Sequence, residues 1–379
     1  MGERILIIGG GLSGLHTAYE LARRDLDFLL VEGRGRLGGR ILSQGSGDGY
    51  DAASGGFDLG PAWFWPGQER MHRLIHQLGL ELSVVDQFAD GDQLVESGPG
   101  RVARGRFGVT MAGSFRLRGG MRQLIERLAR ELPDSKIRRS TRATSLALRP
   151  DGVELTVDGG ERLLGDRAVL AMPPRVALSS LDFEPELPAE RRAQLHSLPT
   201  WMASSGKFVA IYERAFWRES GLSGDAVSYV GPLGEIHDVT PTDSLAESTA
   251  DSPDESTAAL FGFFGIPPAA RKTSAKALER ACLAQLTRLF GDAAAAARKT
   301  WLKDWAFDAW TATADDLVGP AVHSLIGLEQ PNEPSWHDRL LWSGSETAST
   351  GERNNGYLEG ALESSWRTIE LLSKLDPSP

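Results

Sequence analysis

The sequence predicts an α/β protein, α+β overall, with a Rossmann-like domain assembled from discontinuous segments. A second domain is expected on a mixed sheet flanked by helices. Three observations predict this. The chain opens on an apolar strand, a glycine-rich turn and a helical stretch in direct succession. From Ile137 the hydrophobic period changes toward two. Near the end, Arg339–Ser343 reads as a last strand returning to the opening unit, with a closing helix over Gly360–Leu372.

Arg4–Ile8 is a short apolar run suited to a buried parallel strand. It leads into Gly9-Gly10-Gly11-Leu12-Ser13-Gly14 and then a helical pattern, Leu15–Arg23. Gly9, Gly11 and Gly14 fill the three positions of the dinucleotide fingerprint: a tight turn, close approach of a pyrophosphate, and helix-on-strand packing. The helix N-terminus offers amide groups to the phosphates. A second strand, Phe28–Val31, ends at Glu32, where a carboxylate would grip ribose hydroxyls. A glycine motif alone is weak; strand, glycines, helix, strand and acid in register are specific.

Further along, Asp58–Gln68 is an aromatic loop before an amphipathic helix near Glu69–Leu78. His72 and His76 stand one turn apart on it, but with no third ligand nearby a surface helix is favoured over a metal site. Asp86–Gly113 is glycine-rich and reads as irregular. Gly119-Gly120-Met121 opens a helix with Met121, Leu124, Ile125 and Leu128 on one face. Thr144–Leu148, Val153–Val157, Ala168–Ala171 and Lys207–Tyr212 read as strands. Thr240–Thr257, rich in Ser, Thr, Asp, Glu and Pro, reads as a mobile surface loop, and Ala275–Phe290 as a helix. The expected division is 1–80, 119–200 and 336–379 for the nucleotide domain, and 81–118 and 201–335 for the other.

Composition narrows the function. A chain of 379 residues is long enough for two domains. A net charge of −10 argues against nucleic acid or an anionic membrane as main partner. No apolar run approaches the roughly 18–20 residues of a membrane span, and neither a leader nor a tail anchor is expected. A single cysteine, Cys282, excludes an internal disulfide and fits a cytoplasmic location.

Glu32-Gly33-Arg34-Gly35-Arg36-Leu37-Gly38-Gly39-Arg40 resembles the E-x-R-x-R-x-G-G-R extension of flavoproteins in the amine oxidase superfamily. A second glycine pair with a fixed guanidinium suits FAD, which carries a diphosphate and a ribityl arm. Other landmarks follow in order: Asp58-Leu59-Gly60 with Trp63, Gly119-Gly120-Met121, Ala171-Met172-Pro173-Pro174, Lys207 with Tyr212 and Phe216-Trp217, Gly344-Ser345-Glu346-Thr347-Ala348, and Gly356-Tyr357-Leu358-Glu359-Gly360-Ala361. Taken together, the whole chain resembles the flavin-containing monoamine oxidase family, in a small soluble bacterial form.

That resemblance implies non-covalent FAD, since no cysteine stands at the covalent position and Cys282 lies in a predicted helix. It places Gly9, Gly11, Ser13, Gly14, Glu32, Arg34, Gly39, Arg40, Gly60, Pro61, Ala62, Trp63, Ala143, Trp305, Glu346 and Leu358 along the cofactor. Lys207 falls at the lysine that holds a water against flavin N5, and Tyr357 at one wall of an aromatic cage around the substrate amine. Independently, a lysine heading a buried strand must find acceptors or lose its charge; the bland alternative is a snorkelling side chain. The sequence departs from the family at the second cage wall. No tyrosine follows Trp305 at the expected place; Asp315 stands there, with Trp310 as a candidate substitute wall. A half-built cage suits a polar or bulkier amine, including one with a second cationic group. Trp63, Phe64 and Trp65 stand where amino-acid oxidases offer an arginine, which disfavours an α-amino acid; each could equally be core.

The expected chemistry is oxidation of a small amine to an imine by hydride transfer to FAD, with dioxygen yielding hydrogen peroxide, in a monomer or homodimer. The rivals are a flavin desaturase or dehydrogenase acting on carbon–carbon bonds with another acceptor, a nicotinamide-using flavoprotein, and a non-catalytic flavin-binding protein. No second GxGxxG supports the nicotinamide reading.

Overall fold

In the computed structural model, residues 3–45, 56–241, 257–318, 336, 338–349 and 354–375 are described. Five parallel strands form the nucleotide sheet, in the spatial order Leu340–Ser343, Arg167–Ala171, Arg4–Ile8, Asp27–Val31 and Ile137–Arg138. Because side chains alternate across a strand, Ile5 and Ile7 face one core and Leu6 and Ile8 another. The first core is covered by the helices Leu12–Ala22 and Leu358–Leu375. The second is covered by a four-stranded sheet of Arg162–Gly165, Gly152–Val157, Ala143–Arg149 and Asp182–Glu184. The two covering helices meet along a small polar seam: Ser13 Oγ lies 3.4 Å from Ser364 Oγ, and His16 and Thr17 both bond Ser365 Oγ. Small hydroxyls let the two backbones approach closely while satisfying one another.

The second domain is a seven-stranded mixed sheet, in the order Lys299–Asp304, Gly206–Tyr212, Ala258–Phe264, Leu233–Asp238, Leu222–Ser228, Asp92–Gly98 and Arg101–Gly105. Its neighbours are antiparallel except for the parallel pair 222–228 and 92–98. One face packs on the helix Ala275–Phe290, with Phe208, Ala210 and Tyr212 against Leu278, Cys282 and Leu286. On the other face, Val209 and Ile211 meet Phe57, Leu59, Ala62 and Trp63 of the loop that leaves the nucleotide domain. Lys207 has the same parity, so strand alternation aims it at that loop.

The expectation that Asp86–Gly113 is irregular holds for 87–91 and 106–113 but not between them. Asp92–Gly98 and Arg101–Gly105 form a hairpin at the edge of the seven-stranded sheet. Gly98-Pro99-Gly100 is its turn, with Gly100 at φ +71°, so the glycines mark a hairpin rather than a loop. Of the expected mobile segment, residues 242–256 lie outside the described residues; at its edge Thr240 is buried and its hydroxyl accepts from Ala259 N. Among the described residues, no helix is long and apolar enough to cross a membrane.

Candidate active site

A cavity of about 850 Å³ runs from the tips of the parallel strands to the inner face of the seven-stranded sheet. The three fingerprint glycines take separate parts in it. Gly9 sits at φ +113°, where an added Cβ would lie 2.4 Å from Ala171 O. An added Cβ on Gly14 would lie 2.0 Å from Gly9 O, so only glycine lets this helix sit on this strand. Gly11 lines the cavity, and nothing lies within 4 Å of its Cβ position. That vacant side is a cradle for a group approaching backbone. Gly11 is also the N-cap of the helix, and no side chain caps it, so the first amides remain available to an anion.

Glu32 closes the nucleotide end. Its carboxylate accepts from Gly10 N at 2.7 Å and Arg34 N at 2.8 Å. Arg34 in turn bonds Asp308 at 2.6 Å. In the middle, Arg40 donates to both oxygens of Glu346, at 2.6 and 2.9 Å, and to Ser345 Oγ at 3.0 Å. This bidentate pair ties the glycine-rich extension to the last strand's loop.

Lys207 lies at the other end and is only 4 % exposed. Its ammonium donates to Gly60 O and stands 4.4, 4.8 and 5.5 Å from the ring centres of Phe261, Phe263 and Trp63. Burial pulls its pKa well below the usual lysine range, with the Asp58 carboxylate pulling the other way. Burial likewise raises Asp58, although Ser43 Oγ and Met121 N donate to it. Trp305 Nε1 donates to Leu59 O at 2.7 Å, so two side chains of the second domain hold consecutive carbonyls of the Leu59-Gly60 loop. Tyr357 faces the same space, beside Trp65 (ring centres 6.1 Å, near perpendicular) and Trp201 (6.5 Å). Partial burial raises its phenol pKa.

Residues 103–370 match the family described as flavin containing amine oxidoreductase, and residues 7–78 an NAD(P)-binding Rossmann-like domain. The chain belongs to the flavin-containing amine oxidoreductase family. It is 24 % identical to a protein of Dictyostelium discoideum described as "Probable flavin-containing monoamine oxidase A", covering 98 % of each chain. Flavin-containing amine oxidase A of Canis lupus familiaris is also 24 % identical, over 98 % of this chain and 85 % of that one. Among solved structures, a putrescine oxidase variant has a TM-score of 0.78 at 20 % identity, covering 99 % of both chains. Cyclohexylamine oxidase from Brevibacterium oxydans IH-35A has a TM-score of 0.78 at 19 % identity, over 99 % of this chain and 100 % of that one. These two likenesses show the shared fold.

The cofactor of this amine oxidase is FAD, and the cavity fits it: an open glycine cradle, an uncapped helix start at Gly11, and a lining that reaches from Glu32 to Lys207. Apart from Asp315, the sequence-predicted site residues line this one cavity except Gly14, which packs helix on strand behind it. Ser13 lines it, but its hydroxyl is engaged by Ser343. Ala143, at the start of its strand, borders the nucleotide end together with Thr141 and Arg142.

Two expectations about the missing cage wall need correction. Trp310 packs its ring on Gly33, where an added Cβ would meet it at 2.1 Å, and carries Arg34 6.0 Å above it. It therefore lines the Glu32 end, not the Lys207 end. Asp315 does not line the cavity; its side chain is 60 % exposed and pairs with His196 at 3.0 Å. Trp65 and Trp201 stand beside Tyr357 instead. Trp65 was read only as part of the aromatic loop that replaces an arginine, not as a cage wall, and Trp201, outside every motif, was missed. Glu235, which also lines the Lys207 end, was missed because its strand was not recognised.

Proposed function

We propose that this flavin amine oxidase converts a small amine to its imine, the substrate losing a hydride from carbon and a proton from nitrogen, with dioxygen taking both electrons to give hydrogen peroxide. When bound, FAD supplies the hydride acceptor at N5. The imine is then hydrolysed to a carbonyl compound and the released amine.

The observation that carries this reading is Lys207: a buried amine under three aromatic rings, in the same cavity as a glycine cradle and Tyr357. With its pKa lowered by burial, Lys207 can exchange a proton near neutrality while staying fixed to Gly60 O. The family resemblance supports a role in holding a water there. Trp63, Trp65, Trp201 and Tyr357 exclude bulk water and present ring faces to an incoming amine. The helix starting at Leu358 directs its amide end into the cavity, where negative charge on the reduced cofactor is favoured. Flavin attachment is non-covalent on this reading. Cys282 is the chain's only cysteine, it does not line the cavity, and burial pushes its thiol up to about 12. A neutral amine is needed for hydride loss, so the rate rises with pH through the substrate's pKa.

The test is anaerobic bleaching of the flavin band by a panel of amines, followed by oxygen and a peroxide assay. Bleaching with stoichiometric peroxide is expected. If no amine bleaches the flavin, the proposal fails; bleaching without peroxide replaces dioxygen with another acceptor.

A further inference from the structure

We propose that Glu235 is an acceptor for a second cationic group on the substrate, and that His237, clamped between Glu235 and Asp225, is the positioning residue that aims it. The inference rests on the amine-oxidation reading and specifies its substrate class: a short aliphatic amine bearing a second ammonium.

The geometry starts from strand register. Lys207 is paired with Phe263 across one strand boundary, and Phe263 with Glu235 across the next. Directly opposed residues point to the same face, so Lys207, Phe263 and Glu235 form one row on the cavity wall. Two strand spacings put the ends of that row about 10 Å apart at the backbone. The side chains converge into the space between, which suits a short chain with a nitrogen at each end.

Among the described residues, three carboxylates line the cavity: Glu32, Glu346 and Glu235. The first two are engaged, Glu32 by the amides of Gly10 and Arg34, Glu346 by Arg40. Glu235 uses Oε1 to accept from His237 Nε2 at 2.9 Å. Its Oε2 has no partner among the described residues.

The charge state follows from the ring. His237 Nδ1 lies 2.8 Å from Asp225 Oδ1, so both ring nitrogens face carboxylate oxygens and both need protons to donate. Burial opposes that charge, but the hydrogen bonds to Asp225 and Glu235 outweigh it and raise the His237 pKa. The His237 hydrogen bond likewise outweighs burial at Glu235 and lowers its pKa. Two carboxylates and one imidazolium leave the trio at net −1. Trp63 packs edge-on against the imidazole at 5.3 Å and Phe261 stacks on it at 6.2 Å, which fixes the ring and therefore the carboxylate. The Glu235 side chain is still 44 % exposed, so its carboxylate is reachable from the cavity. The lowered pKa of Lys207 means that its amine does not fully cancel this charge. An apolar substrate tail would strip water from that carboxylate and give it no partner beyond His237.

The experiment compares putrescine with n-butylamine and with the amino alcohol of equal length, on the FAD-loaded enzyme. A kcat/KM preference for putrescine of at least about tenfold is expected, expressed mainly in KM. Glu235→Gln should bring that ratio close to one by raising the putrescine KM. His237→Asn should raise the putrescine KM as well, and Asp225→Asn is the substitute readout if His237→Asn does not fold. Equal use of putrescine and n-butylamine by the unaltered enzyme overturns the inference, as does an unchanged ratio in Glu235→Gln. Equal use of putrescine and the amino alcohol overturns the charge requirement. A wild-type putrescine KM in the folded positioning variant overturns the role of His237. Failure of every amine, mono- or di-, to bleach the flavin instead sinks the amine-oxidation reading beneath it.

Discussion

Gly11 and Gly14 stand three residues apart in one motif, yet the structure predicts opposite consequences for adding a methyl group to each. At Gly11 the backbone is already compatible with alanine, φ −75° and ψ −176°, and no atom lies within 4 Å of the new Cβ. The apoprotein should lose only about 0.5 kcal/mol, the difference between glycine and alanine at an N-cap. The methyl would project where the cofactor's phosphates approach. Overpacking of about 1–3 kcal/mol then weakens FAD binding by roughly tenfold to a hundredfold. At Gly14 the new Cβ would lie 2.0 Å from Gly9 O and 3.1 Å from Ala171 Cβ. The contact is with backbone, so the helix must move off the strand, and the apoprotein should lose about 3 kcal/mol or more. Urea unfolding of the apoproteins and quenching of flavin fluorescence on FAD titration measure the two quantities. Gly11→Ala binding FAD as tightly as the parent, or Gly14→Ala apoprotein unfolding at the parent's midpoint, would refute the division of labour.

Trp310→Ala should weaken FAD binding, through loss of the surface under Arg34 and against Gly33, while the amine KM at saturating FAD stays within about twofold; a large rise in amine KM would return Trp310 to the substrate end. Trp201→Ala should raise the amine KM about three- to tenfold by removing one neighbour of Tyr357, and an unchanged KM would take Trp201 out of the substrate wall. His16 is buried against Ser365, and burial first, then the Arg24 and Arg23 charges, lower its pKa to about 3. The unfolded chain therefore binds a proton below about pH 6.5 that the folded protein refuses, so stability is full above that pH and falls on acidification toward pH 3. Between pH 7 and pH 5 His16 accounts for about 2 kcal/mol of the loss. Urea unfolding of His16→Gln should show a correspondingly smaller fall, and parallel falls would contradict the assignment.

The nucleotide half was legible because local signals and tertiary role coincide there. Arg4–Ile8, the three glycines and Glu32 are close in sequence, and each needs its residue type for a backbone reason that survives into the fold. The helix read over Ala275–Phe290 has those bounds in the fold. The second sheet was less legible. Its strands pair across long separations, Lys207 with Phe263 and Glu235 with Phe263, and no short-range pattern reports those partners. The hairpin at 92–105 was hidden by the same glycines that make its turn. At the site, Lys207 stood out as a cation in an apolar strand. Trp201 and Glu235 gave no such signal, because a tryptophan after a turn and a glutamate on a strand are unremarkable until register sets them on the cavity wall. Counting residues past Trp305 led to Asp315, but the chain turns away there and exposes it.

The most direct test of the central claim is Lys207→Met in the FAD-loaded enzyme, followed by stopped-flow absorbance in two halves, anaerobic reduction by an amine and reoxidation by oxygenated buffer. Methionine retains the apolar stem and removes the buried amine. The account predicts a loss of about 10²–10⁴-fold in at least one half-reaction, the range for a positioned proton-transfer group, with FAD still bound. Both halves proceeding at the parent's rates would contradict it.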